Sequence, residues 1–186
     1  MVSLGALWLP VLLSAVLVFL TSFVVHMVLR YHRSDYTKLP NEDAVRDAIR
    51  SGNPAPAQYI IPYCADPKDM AAPDMQRKFV EGPIAVLNLK RPAVPSMGPS
   101  LAQWFVFTLV VSFFVAYIAC HTLAPGTEYL AVFRVVGAIA FLAYAAGQLP
   151  AAIWMGKPWR VAWKEAFDGL LYGLVTAGTF GWLWPR

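Results

Sequence analysis

The chain has 186 residues, of which 58% are hydrophobic and 14% charged, well short of the ~25% charge of an ordinary soluble domain. A net charge of +4 without an arginine-rich, aromatic-interleaved patch excludes a nucleic-acid-binding module. Two cysteines, Cys64 and Cys120, one in a polar stretch and one in an apolar run, exclude a disulfide framework.

The apolar residues are gathered into long runs. Leu4 to Leu29 is the first, uninterrupted by charge before Arg30. At ~1.5 Å per residue it is long enough to cross ~30 Å of hydrocarbon. It lacks the basic n-region and small-residue cleavage site of a signal peptide, so it reads as an uncleaved anchor. Pro10 falls near its start, where a helix tolerates proline best.

Arg30 to Ser100 is polar and holds most of the basic and most of the acidic residues. Two helices are expected inside it. Asn41 caps the first, Glu42 and Asp43 favour its positive end, and Gly52 stops it. The second opens at Pro73 and stops at Gly82, with Met75, Phe79 and Val80 as its buried side chains. Gln58 to Ile61 and Ile84 to Leu89 read as short strands. Paired strands with both helices on one face would form a small α+β cap with a thin core, in need of support from the membrane block or a partner. Pro92, Pro95, Gly98 and Pro99 read as a stiff linker.

Three more apolar runs follow: Leu101 to Ile118, Tyr129 to Leu149 and Ala166 to Trp184. Trp104 opens the first and Cys120-His121 closes it. Pro150 ends the second. Ala151 to Lys164 reads as an amphipathic connection, where Trp154, Trp159 and Trp163 beside Lys157, Arg160 and Lys164 mark a headgroup zone. The fold expected is thus an all-α membrane protein of four transmembrane helices with a small cytoplasmic α+β insertion between the first two. Its parts are an anchor at 1–30, the insertion at 31–100 and a three-helix block at 101–186. Arg30, Arg33, Lys38, Lys90 and Arg91 fall on the same side as Lys157, Arg160 and Lys164. The positive-inside rule then makes 31–100 cytoplasmic and places both termini outside, in a setting expected to be a bacterial inner membrane.

Four polar residues within or beside the apolar runs are the candidates for chemistry. Arg134 lies about six residues into the third run, roughly 9 Å below the interface. It either snorkels outward to headgroups or Glu128, locks neighbouring helices, or serves a ligand or ion. Asp168 lies a turn inside the fourth run, at the depth of His26. The two could share a proton or hold the bundle; alternatively Asp168 faces water beside Lys164. His121 belongs to the opposite end. His26 and His32 belong to the inner side and His121 to the outer, so no two histidines share a depth on facing helices to give an axial haem pair, and no metal ligand set or other cofactor is expected. No nucleophile elbow, P-loop, HExxH or GxGxxG motif occurs, so no catalytic residue is assigned.

Gly169, Gly173, Gly178 and Gly181 form a small-residue stripe on the fourth run, which packs either on Gly137, Ala140, Ala143 and Gly147 of the third or against another protein. The Phe-rich second run suits lipid or a pigment- or quinone-like ligand. The leading functional expectation is a non-catalytic accessory or structural subunit of a larger membrane assembly. Its partners would be lipid and either other membrane subunits or further copies of itself. A small oligomeric transporter or channel is the alternative, and a membrane redox protein the third reading.

Overall fold

A computed structural model describes residues Met1–Arg186. In chain order the elements are α1 (Trp8–Phe23), α2 (Glu42–Ser51), β1 (Gln58–Ile61), α3 (Pro73–Glu81), β2 (Ala85–Asn88), α4 (Gly98–Thr122), α5 (Tyr129–Ala145), α6 (Leu149–Trp154) and α7 (Trp159–Trp182). The chain divides into two compact units, Met1–Asp35 with Ser96–Arg186, and Tyr36–Pro95. Three helical runs are long and apolar enough to cross a membrane: Leu4–Val28, Gly98–Thr122 and Tyr129–Trp154.

In the first unit α1 and α4 run antiparallel, held by a ladder of polar side chains on otherwise apolar faces. Ser14 and Ser112 share a buried hydrogen bond of 3.0 Å. Two turns along, the Trp104 indole donates to Ser22 Oγ at 2.8 Å. Thr108 lies buried between them. Such bonds fix register where packing among aliphatic side chains alone would let helices slide.

The glycine stripe of α7 lies against α5 in a constant antiparallel register. A Cβ built on Gly169 would fall 2.8 Å from the Ala145 backbone nitrogen, and one on Gly173 would fall 3.1 Å from that of Phe141. Gly137 on α5 faces Ala177 on α7 in the same way. The missing side chains are what allow the two backbones to approach. Gly178 differs, with only the Tyr129 hydroxyl near its Cβ position, at 3.7 Å. Val18, Val115, Val132, Val136 and Phe180 fill the centre of this unit. Its tail is tied down by Gly126 N–H donating to Pro185 O and Trp184 Nε1–H to Ala124 O.

Prolines shift three boundaries from those expected. The linker prolines end earlier, because Gly98, Pro99 and Ser100 form the first turn of α4, where a proline loses no hydrogen bond. Pro150 does not end the third run. It occupies the first turn of α6, after a short 3-10 turn at Ala146–Gln148, so helical structure continues to Trp154. The stretch expected as one amphipathic connection is therefore divided between α6 and the start of α7.

In the second unit β1 and β2 pair antiparallel, Tyr59 opposite Leu87 and Ile60 opposite Val86. Asn41 precedes α2 without a side-chain cap bond, and α3 ends at Gly82 with φ +64. The expected buried face of α3 is absent. Met75 and Phe79 are only half-buried, and Val80 is 87% exposed. No residue from Tyr36 to Pro95 is buried. Prolines interrupt the segment too often for helices long enough to cover a sheet.

Candidate functional site

The functional side chains gather where α1 ends. The turn that follows it, Val24–Val28, is wound as a π-helix, a geometry concentrated at functional sites. Arg30 then takes φ +57, the left-handed region that few residues other than glycine adopt. The reversal sends the next turn, Tyr31–Asp35, back over the end of α1 and onto α7. His32 stacks on His26 with ring centroids 4.5 Å apart and planes 6° from parallel.

On α7, Arg160, Lys164 and Asp168 recur every four residues and so share one helix face. All three reach the Tyr31–Asp35 turn. Arg160 donates to Ser34 O at 3.1 Å. Lys164 Nζ donates to Tyr31 O, Ser34 Oγ and Asp35 Oδ1 at 2.8, 2.9 and 2.6 Å. Asp168 accepts from the Tyr31 hydroxyl and pairs with His32 Nε2 at 2.8 Å. His32 Nδ1 in turn meets Asp35 Oδ2 at 2.6 Å. His32 is thus bracketed by two carboxylates. Both contacts are donor–acceptor pairs only when the ring carries two protons or one carboxyl carries its own. Desolvation opposes charge at Asp35, and the bonds from Lys164 and His32 outweigh it, holding that carboxyl below the usual carboxylate range.

A cavity of about 810 Å³ adjoins this cluster. Phe19, Trp104, Phe107, Tyr144 and Tyr172 supply aromatic walls, and His26 and Asp168 form its polar end. The Tyr144 and Tyr172 rings meet edge to face at 5.6 Å, and both hydroxyls are buried without a hydrogen-bond partner. Exposed Phe23, Met27, Met97 and Leu101 line the rim between the end of α1 and the start of α4.

No protein-family model, curated protein or solved structure matches this chain. The site's chemistry therefore rests on its own geometry.

The four polar candidates separate. Asp168 is only 3% exposed, not facing water beside Lys164, whose ammonium serves Asp35 instead. His26 is brought to Asp168, with His32 between carboxylates beside it. His121 is exposed at the far end of α4, its ring bonded to Tyr117 O at 2.7 Å. Arg134 is exposed on α5, with no ion pair or side-chain hydrogen bond. It faces outward, which suits a snorkelling side chain. Arg134→Leu is expected to change stability by less than about 0.5 kcal/mol, measured by unfolding of the detergent-solubilised protein. Tyr31, His32 and Asp35 are the participants that spacing along the chain leaves unassigned. The visible signals were the His-x-x-Asp step and the four-residue recurrence of Arg160, Lys164 and Asp168.

Proposed function

We propose that this chain is a four-span helical membrane protein acting as an accessory or structural subunit of a larger membrane assembly. The observation that carries the assembly reading is the segment Tyr36–Pro95, which has two helices and a two-stranded sheet but no buried residue. Exposed Tyr36, Tyr63, Val80, Ile84 and Val94 give it apolar side chains with nothing on them. A segment that buries so little cannot offset its own chain entropy, and a protein partner would supply the missing core.

Membrane insertion is supported by the outward faces of the helical unit. Leu12, Leu20, Phe113, Phe114, Leu130 and Leu142 are all exposed, an outer surface water would not tolerate. The fourth span would be α7. At ~1.5 Å per residue its 24 residues reach about 36 Å. Its charges lie near its first end, and each finds a partner, Glu165 with Lys157 and the others with the Tyr31–Asp35 turn. The basic residues Arg30, Arg33, Lys157, Arg160 and Lys164 favour the cytoplasm for that end, with both termini outside and a bacterial inner membrane as the setting.

The test is the mass and composition of the complex extracted in mild detergent at native expression. Stoichiometric co-purification of another subunit is the expected result, together with a photo-crosslink to it from a probe at Val80. A solitary monomer with a turnover activity would overturn the proposal.

A further inference from the structure

We propose that His26, His32 and Asp168 form a binding site for one divalent first-row transition-metal ion. Each contributes a ligand-type atom within 4.8 Å of the other two. Proximity alone would be weak support, because paired side chains also cluster. The orientation of the His32 imidazole adds the second observation. His26 Nδ1 lies 3.1 Å from Ser22 O, a carbonyl that can only accept, so the proton is on Nδ1 and the Nε2 lone pair is free. His32 Nδ1 points at Asp35 Oδ2, which likewise directs Nε2 toward Asp168. Metal-binding histidines are held as His32 is, one nitrogen donating to a carbonyl or carboxylate and the other turned to the ion.

The spacing also fits. His32 Nε2 and Asp168 Oδ2 stand 2.8 Å apart. Two ligands bonded at about 2.0–2.1 Å are separated by about 2.9 Å at the right angle of an octahedral ion and by about 3.3 Å at a tetrahedral one, so the pair needs little or no opening. His26 lies further off, stacked on His32, and would reach the ion only by rotating out of the stack and giving up its bond to Ser22 O. The donors are two nitrogens and one oxygen without a thiolate, which suits zinc, iron(II), cobalt(II) or manganese(II). The charge at the site rises by one, which an anionic ligand at an open position would offset. The ion replaces the proton between His32 and Asp168, and that proton leaves to solvent. Asp35 remains behind His32 and is neutralised by Lys164.

His26 separates this proposal from a purely structural clamp. Tyr31, His32, Asp35, Lys164 and Asp168 satisfy one another, and His26 adds no hydrogen bond to that set. Two histidines and one carboxylate leave coordination positions open. His26 and Asp168 both line the aromatic cavity, so the open side would face a compartment suited to a lipid-soluble molecule. The proposal is independent of the assembly reading, since it concerns donors within one chain.

The experiment uses the full chain, carrying an affinity tag without histidine, purified in mild detergent, stripped with chelator and titrated with Co²⁺. Visible d–d absorption reports coordination. One equivalent per chain is expected, displaced by Zn²⁺. His26→Ala and Asp168→Asn should each weaken Co²⁺ binding at least tenfold, and Asp35→Asn roughly tenfold through His32. His121→Ala should leave it unchanged. Because His26→Ala removes no bond of the clamp, its elution profile should match that of the unaltered protein. Absence of saturable Co²⁺ uptake by the unaltered protein, or full affinity in His26→Ala, would overturn the site.

Discussion

Replacing Gly169 by leucine is expected to force α5 and α7 apart and to destabilise the helical unit by about 3 kcal/mol or more. Even a methyl group there would lie 2.8 Å from a backbone nitrogen and 2.9 Å from the Cα of Ala145, atoms that cannot swing aside as a flexible side chain can. The interface must open along its length or the helix must bend. Against a typical total of 5–15 kcal/mol, such a loss leaves little reserve. The neighbouring glycines give the comparison. Gly173→Ala meets backbone at 3.1–3.2 Å and should cost about 1 kcal/mol, whereas Gly178→Ala meets only a hydroxyl at 3.7 Å and should be neutral or slightly stabilising. Unfolding in mixed micelles, followed by far-ultraviolet circular dichroism, would rank the three. Equal effects at Gly169 and Gly178 would mean that α5 and α7 do not pack in this register.

Lys164→Met should release the Tyr31–Asp35 turn from α7. The lysine places its ammonium against three acceptors of that turn, including Asp35, whose side chain is 4% exposed. Methionine keeps most of the stem and removes the charge, leaving a buried carboxylate with His32 as its remaining partner. Breaking such a pair costs about 3–5 kcal/mol, equivalent to a hundredfold or greater rise in the opened population. Trypsin reads this directly, because exposed Arg30 and Arg33 lie at the turn. Cleavage at Arg33 should accelerate strongly in Lys164→Met and only slightly in Arg160→Met, which loses one exposed bond. An unchanged cleavage rate in Lys164→Met would show that the turn is held by something else.

Much of the helical architecture was legible because its signals are local. The long apolar runs, the caps at Gly52 and Gly82 and the two short strands depend on residues a few positions apart. The helix-packing stripe was legible too, because glycine at four-residue steps has few other uses on an apolar helix. Proline was read less well at Pro99 and Pro150, since it both ends a helix and begins one, and only the following residues decide. The polar cluster was the least accessible. His32 and Asp168 are far apart in sequence, and their meeting depends on the backbone reversal at Arg30, a residue whose type does not announce a positive φ. The depth of His26 was readable. The folding of His32 back over it was not, because nothing local shows the chain reversing there. The exposed flank of Val80 was misread for a related reason. An amphipathic pattern shows which side of a helix seeks cover, not whether the same chain provides it.

The separation of His32 from Asp168 also has a consequence in time. Their bond closes a loop of 136 residues. During synthesis the Tyr31–Asp35 turn appears early, with Asp35 and His32 able to meet each other. Lys164 and Asp168 arrive only with the last helix, after all the other helices have been made. The cluster is therefore among the last long-range contacts that can form. A chain stalled before α7 carries Asp35 without its lysine beside α1, whereas one that has made α7 buries that carboxylate. The same side chains that fix the end of α1 thereby distinguish a chain that has reached α7 from one that has not.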